Sequence, residues 1–362
     1  MKNKLILFLL ISFIIPSNFL DRFRVPIYAT TSVQVGYDSN IFRFSESDMA
    51  DTYEDVSFMG DSEKFDSGMI KSGLEIEYSP ALWDNHEIRF KLGYKNNYFS
   101  HSKEKAYDII TTELGVHLGS YQWLKMGYRY IPKFYLKEYR DLDLPGSPYL
   151  SCNFLSQSFF MSYSIPFIGK GNSLKFKISQ LEYLYNANFT EYDIQINQFA
   201  SNLYLKILKF NTALSFSYAD ASDISDDDVY MTMQEQSRNG SYKEYKIGFS
   251  LNRKNKKYIS RYGVSTSLAY REHEVTSDSV TGEVVPFYYV NDPYNIDRTH
   301  LEINNSIWVE KKIGRKATVK LLLKQRNRKV DSPYQEIIDL KSFEKYEVLL
   351  SYTYDLDLDF LY

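Results

Sequence analysis

Residues 346–362 read YEVLLSYTYDLDLDFLY, and their alternation decides the fold. Tyr346, Val348, Leu350, Tyr352, Tyr354, Leu356, Leu358, Phe360 and Tyr362 share one parity. Glu347, Ser351, Thr353, Asp355, Asp357 and Asp359 hold the other, broken only by Leu349 and Leu361. A period of two puts these sets on opposite faces of a β-strand. One face is aromatic and apolar, the other acidic and polar, up to the last residue of the sequence. Such a strand needs an apolar surrounding on one side and water or counter-charge on the other.

The same period recurs upstream. SGLEIEYS sets Leu74, Ile76 and Tyr78 against Glu75 and Glu77. HEIRFKLGYK sets Ile88, Phe90, Leu92 and Tyr94 against Glu87, Arg89, Lys91 and Lys95. QWLKMGYRY sets Leu124, Met126, Tyr128 and Tyr130 against Lys125 and Arg129. KFNTALSFSY, YKIGFSL and KATVKLLLKQR repeat the pattern. About fourteen strands are expected (12–16 in range), centred near Val33, Leu74, Leu92, Leu114, Met126, Phe159, Phe176, Leu203, Leu214, Phe249, Thr266, Ile303, Leu321 and Leu350. Their connections alternate long and short. Long, polar ones run near 45–66, 138–153, 220–239, 272–297 and 327–342, while GSYQ, LKF and KKIGRK are tight. Short turns at one end and long loops at the other are the layout of a transmembrane barrel. A soluble sandwich or propeller also alternates, but neither accounts for this regularity, and no propeller-length repeat is present.

Composition fits that reading. The 362 residues carry 43 Lys+Arg against 46 Asp+Glu, which argues against nucleic acid as a partner. Aromatic residues make up 17%, with 33 Tyr, and rings with a polar tip suit a membrane–water boundary. The opening MKNKLILFLLISFIIPSN has a charged start and an apolar run too short to span a bilayer. It reads as a secretory signal over 1–29, cut near Ala29, with the barrel domain over 30–362. The expected fold class is therefore all-β: one closed antiparallel transmembrane β-barrel with short periplasmic turns and long extracellular loops. Lipid packs against its apolar parity, because a spanning sheet must close to pair every backbone group.

The charged parity then lines the lumen. Lys316, Lys320, Lys324, Arg326 and Arg328 fall on it in one strand. A preceding turn centred on Ile313 would set Glu310 opposite Lys316 and Glu302 opposite Lys324. A following loop centred near Tyr334–Glu336 would set Asp355 and Glu347 opposite Lys316 and Lys324. Glu75 and Glu77 would face Arg89 and Lys91, and Lys125 and Arg129 join the candidate pore lining. Such pairs support one another across strands, and a cation ladder also guides an anionic or sugar solute.

Other chemistry is sparse. Cys152 is the single cysteine, so no disulfide can form within the chain. Asp220, Asp223, Asp226, Asp227 and Asp228 lack the ordered ligand pattern of a calcium loop and read as a solvated loop. His86, His101, His117, His273 and His300 form no H-x-x-x-H pair. FSHSKE around His101 does not supply the H-x-S-N-G stretch of outer-membrane phospholipases. No catalytic residue, metal or cofactor is expected, and the chain is not read as an enzyme.

The closing strand resembles the C-terminal signal of bacterial outer-membrane proteins on Tyr354, Leu356, Leu358, Phe360 and Tyr362. That resemblance implies recognition by the barrel-assembly machinery and residence in a Gram-negative outer membrane. VQVGYDSNIFRFSE, from Val33 to Glu46, resembles the first strand of barrels in polysaccharide-secretion and surface-lipoprotein-translocation systems. The function expected is a passive pore or secretion channel for a small or linear hydrophilic solute, a saccharide among the candidates. The alternative is a closed barrel displaying its loops for adhesion or envelope assembly; a third, less favoured, is an enzyme acting on lipid at the outer leaflet, which would require His101 or His117.

Overall fold

The computed structural model describes residues 24–83, 86–140, 148–224, 240–255, 258–274 and 295–358. Fourteen antiparallel strands close into a barrel. They are β1 (Ile27–Asp38), β2 (Ser67–Tyr78), β3 (His86–Phe99), β4 (Tyr107–Gly119), β5 (Gln122–Arg140), β6 (Tyr149–Pro166) and β7 (Ser173–Tyr185). Then follow β8 (Ile194–Ile207), β9 (Phe210–Asp223), β10 (Tyr242–Lys254), β11 (Arg261–His273), β12 (Thr299–Ile313), β13 (Ala317–Asp331) and β14 (Phe343–Leu358). Every expected strand centre falls inside one of them. A fragment at Ala81–Trp83 sits in the turn before β3. Each strand pairs with its neighbours in sequence, and β14 returns to β1 with Val33 opposite Tyr352 and Asp38 opposite Glu347. No sheet edge is left to pair with another chain.

The parity read from the sequence is the parity of the barrel wall. Tyr346, Val348, Leu350 and Tyr352 of β14 are 43–50% exposed, as are Val33, Val35 and Tyr37 of β1. These large apolar groups lie on the outer surface, where only lipid satisfies them. Tyrosines near the loop end keep their hydroxyls on polar partners. Tyr37 donates to Asp66 at 2.6 Å, Tyr94 to Asp108 at 2.7 Å and Tyr346 to Glu344 at 2.8 Å. Ring in lipid and hydroxyl at the water boundary is the arrangement their chemistry favours.

One feature departs from the sequence reading. The β12–β13 turn is centred on Arg315, not Ile313: Gly314 takes the left-handed conformation (φ 68°) and starts a turn over 314–316. Glu310 is therefore opposite Lys320, and Glu302 opposite Arg328. Lys316 sits in that turn, where its carbonyl accepts the Asp355 N–H at 2.9 Å, rather than on the lumen ladder. Between β2 and β3, Glu75 and Glu77 do face Arg89 and Lys91, with Glu77 directly opposite Lys91 and Glu75 opposite Gly93. Strand β1 begins at Ile27. Of the leader read over 1–29, residues 1–23 lie outside the described residues, as do Asp226–Asp228, Phe360 and Tyr362.

Connections at the turn end are 120–121, 167–172, 208–209 and 314–316 among others, whereas the first loop at the other end occupies 39–66. That loop contains helix α1 (Glu46–Asp51), which opens on a capping box: Asp48 N–H donates to Ser45 Oγ at 2.9 Å, and Ser45 N–H to Asp48 Oδ2 at 3.3 Å. Helix α2 (Gln335–Lys341) lies in the last loop. No helix among the described residues is long and apolar enough to cross a membrane.

Candidate functional site: the lumen and its inward loop

The first loop folds into the barrel. Ile41, Phe42, Phe44 and Met59 form a buried cluster with Met69, Phe99, Tyr135 and Leu349, with Tyr107 and Leu322 packed against it. Met69, Phe99, Tyr107, Leu322 and Leu349 come from β2, β3, β4, β13 and β14 on the lumen parity. The wall therefore carries an apolar patch on its inner face, and the loop covers it. Phe42 and Phe44 stack at 4.9 Å, and Phe44 meets Phe58 edge-on at 5.1 Å. Gly36 makes room for this packing: a Cβ there would strike the Val348 carbonyl and come within 2.8 Å of Leu349 Cδ2.

Polar contacts fix the loop at both ends. Lys345 Nζ donates to Asp38 Oδ2 at 2.6 Å in a buried ion pair, and Glu347 lies 3.2 Å from the same ammonium. Asn40 ties the tight turn together by donating to the Phe44 carbonyl at 2.8 Å and accepting from its N–H at 2.8 Å. Its amide also donates to the Glu344 carbonyl on β14 at 3.2 Å. Farther along, Ser62 and Ser102 hydroxyls meet at 2.6 Å, and Tyr149 on β6 donates to Asp55 at 3.4 Å. Lys105, in the connection after β3, donates to the carbonyls of Tyr135 and Leu136 with its ammonium 4.5 Å from the Phe42 ring centroid. Burial pushes that ammonium well below the usual lysine range.

At the tip of the turn stands Arg43, in the left-handed conformation (φ 60°). It is exposed within the lumen and lies within electrostatic reach of Glu302 and Arg326 on one side and Tyr183 of β7 on another. Arg326 in turn borders a lumen cavity of about 570 Å³. Its lining from β9 to β12 includes Ala213, Ser215, Gly248, Ser250, Ser265, Ser267, Asn304 and Ser306 together with Phe249, while Tyr204 borders it on β8 and Lys324, Arg326, Lys345 and Glu347 on β13 and β14. Small polar side chains leave width and offer hydrogen bonds to water or hydroxyl-bearing solutes.

Most sequence-selected residues face this interior. Glu302 accepts from Arg326 at 2.7 Å and Arg328 at 3.0 Å, and Glu347 pairs with Lys324 at 3.3 Å. Lys320 lies 4.8 Å from the Trp308 ring centroid, with Glu310 opposite in register. Lys91 bridges Glu75 and Glu77, each at 2.8 Å, and Arg89 reaches Glu77 at 3.2 Å. Lys125 pairs with Glu113 at 2.7 Å, and Asp355 accepts from Thr30 at 3.0 Å. Arg129 faces the lumen between Thr111 and Ser158. The lattice does not use up the positive charge. Arg43, Lys71, Lys95, Arg129, Lys175, Lys177 and Lys246 have no ion pair among the described residues, whereas Asp38, Glu75, Glu77, Glu113, Glu244, Glu302 and Glu347 are each tied to a cation.

Sequence reasoning missed the apolar patch and Arg43. The signal was present in part, since Leu349 broke the parity of the closing strand and Leu322 breaks that of β13. Among the assembly-signal residues, Tyr354 and Leu356 pair across the seam with Thr31 and Ala29. Buried Cys152 is a free thiol on β6. His117 stacks on Trp123 at 4.6 Å, and no group of three or more metal-ligating side chains occurs among the described residues.

No family model matches the chain, and no curated protein matches it. Solved structures do resemble it. The outer membrane channel DcaP of Acinetobacter baumannii is similar at a TM-score of 0.45 and 10% identity, over 91% of this chain and 96% of that one. An anion-selective porin from Comamonas acidovorans is similar at 0.40 and 7% identity, over 91% and 98%. A bacterial polysaccharide outer membrane secretin is similar at 0.37 and 9% identity, over 90% and 98%. At such identities the likeness concerns barrel architecture alone. The closed sheet, its apolar outer face and its charged interior make the chain an outer-membrane β-barrel protein of the Gram-negative type.

Proposed function

We propose that the barrel is a passive channel for small hydrophilic solutes, narrowed by its first loop and biased toward anions and hydroxyl-rich molecules such as saccharides. The single observation that carries this reading is the polar lumen cavity bordered by Lys324, Arg326 and Lys345, with Arg43 of the loop tip within electrostatic reach of Arg326. Spare positive charge in a narrow, protein-walled space raises the local concentration of anions and repels cations. Serine, asparagine and glycine along the other side provide hydrogen bonding without filling the passage. The barrel-assembly machinery is the partner expected during biogenesis, and outer-membrane lipid the partner afterwards.

Purified protein in planar bilayers should give steady ohmic current steps. The reversal potential under a potassium chloride gradient should indicate chloride preference. Replacing Lys320, Lys324 and Arg326 together with Glu should move that potential toward cation preference. Unchanged selectivity would overturn the role of this ladder.

A second reading is favoured by one observation, the extensive apolar docking of the first loop across the lumen. A loop held so firmly suits a closed barrel that displays its long loops for adhesion or envelope assembly. Absence of current steps from correctly folded protein would select it.

A further inference from the structure

Four neighbouring connections at the turn end share a composition that the lumen does not explain. They follow β6, β8, β10 and β12 and read PFIGKGNS, KILK, RKNKKYISR and EKKIGRK. Their only acid is Glu310, which lies on the lumen parity opposite Arg261 and Lys320. Lys170, Lys209, Arg253, Lys254, Lys311 and Arg315 form no ion pair among the described residues. Each turn also carries a protruding apolar or aromatic side chain: Ile168 is 83% exposed, Leu208 88%, Tyr258 74% and Ile313 53%. Leu208 takes the left-handed conformation (φ 54°) at the tip of a two-residue turn, a place that glycine or asparagine fills more readily.

Orientation says what these turns meet. Arg253 shares the outward parity of β10 with Ile247 and Phe249, opposite Phe210 and Tyr262. Its guanidinium carbon is 5.6 Å from the Phe210 ring centroid. Lys311 shares the outward parity of β12 with Ile307 and Val309. These cations stand at the turn-side margin of the lipid-facing belt, not over the lumen. Long basic side chains at such a margin lay their stems on apolar surface and keep the charge at headgroup level. Adjacent turns are two strands apart, about 10 Å along the rim, so charges and apolar tips alternate along one arc. An acidic soluble protein would account for charge in the turns, but not for Arg253 and Lys311 on the lipid parity. Anionic lipid accounts for both, because its phosphates are drawn to basic clusters and its acyl chains take up apolar tips.

We propose that the turn ends of β6 to β13 bind anionic phospholipid of the membrane leaflet they border. Phosphates sit on Lys209, Arg253, Lys311 and Arg315, and acyl carbons on Ile168, Leu208 and Ile313. The site belongs to the outer surface of the barrel and does not depend on the channel reading.

Native mass spectrometry of the full-length barrel, released from micelles holding equal phosphatidylglycerol and phosphatidylcholine, tests this. Retained phosphatidylglycerol should exceed phosphatidylcholine by roughly threefold or more. Joint replacement Lys209→Gln, Arg253→Gln, Lys311→Gln and Arg315→Gln should bring the two lipids level. A control removes the same charge from exposed lysines toward the loop end, by Lys64→Gln, Lys103→Gln, Lys133→Gln and Lys329→Gln, and should keep the preference. Heat-modifiable gel migration checks folding, and if the first variant does not fold, Arg253→Gln with Lys311→Gln takes its place. No preference in the wild type overturns the proposal and points to an acidic soluble partner for these turns. A preference that survives in the folded turn-end variant, or falls equally in the loop-end control, overturns it as well, since retention would then ignore these residues or follow net charge alone.

Discussion

Two arcs of the same lumen wall behave in opposite ways. From β13 through β14 and β1 to β4, inward positions include Leu322, Leu349, Met69, Phe99 and Tyr107, and the first loop lies on them. From β9 to β12 at mid-barrel, the inward positions are Ala213, Ser215, Gly248, Ser250, Ser265, Ser267, Asn304 and Ser306, and they face a cavity. The backbone is alike in both arcs. What differs is which side chains water satisfies, and with the polar ties at its ends this directs where the loop settles and where the passage remains.

The strongest way to break this contrast is to remove the loop. Replacing residues 40–64 with a short Gly/Ser linker should raise single-channel conductance several-fold, because both arcs then line open space. An unchanged conductance would mean that the loop does not set the width. Next comes Asp38→Asn, which leaves the Lys345 ammonium without its closest carboxylate. Removing one partner of a buried pair costs about 3–5 kcal/mol, although Glu347 at 3.2 Å offsets part of this here. The expected readout is faster protease cleavage within 53–56, where Tyr53 and Val56 are exposed. Leu349→Ala should speed the same cleavage through a lost apolar contact and a residual void, by about 2–5 kcal/mol at most. If cleavage of that variant matched wild type, the patch would not be what holds the loop. Smallest of all is Ser267→Ala in the bare arc, expected to change stability in urea by less than about 0.5 kcal/mol. A large loss there would mean that the two arcs are equally packed.

The strands were legible in the sequence because lipid on one side and water on the other impose a strict period of two, which few residues violate. Leu349 and Leu322 were among the violations, and single violations do not say what will cover them. The register of β12 against β13 was misjudged because Gly314 starts a left-handed turn, and its conformation is set by the backbone rather than by polarity. Ion pairs such as Lys324–Glu347 were within reach of sequence reasoning, since only the loop centre had to be placed. Arg43 was not. Its position follows from a loop crossing to distant strands, and no periodic pattern encodes where an irregular segment goes.

The Asp38–Lys345 pair and the Asn40–Glu344 hydrogen bond have one more property: each joins the first strand's end to the closing strand. Leu349, beneath the loop, lies directly opposite Gly36 across that same joint. None of these contacts can form while β1 and β14 are apart. The loop therefore acts as a latch on the barrel's final seam, engaging only after closure and resisting its reopening. A segment that narrows the finished lumen thus doubles as a record that assembly is complete.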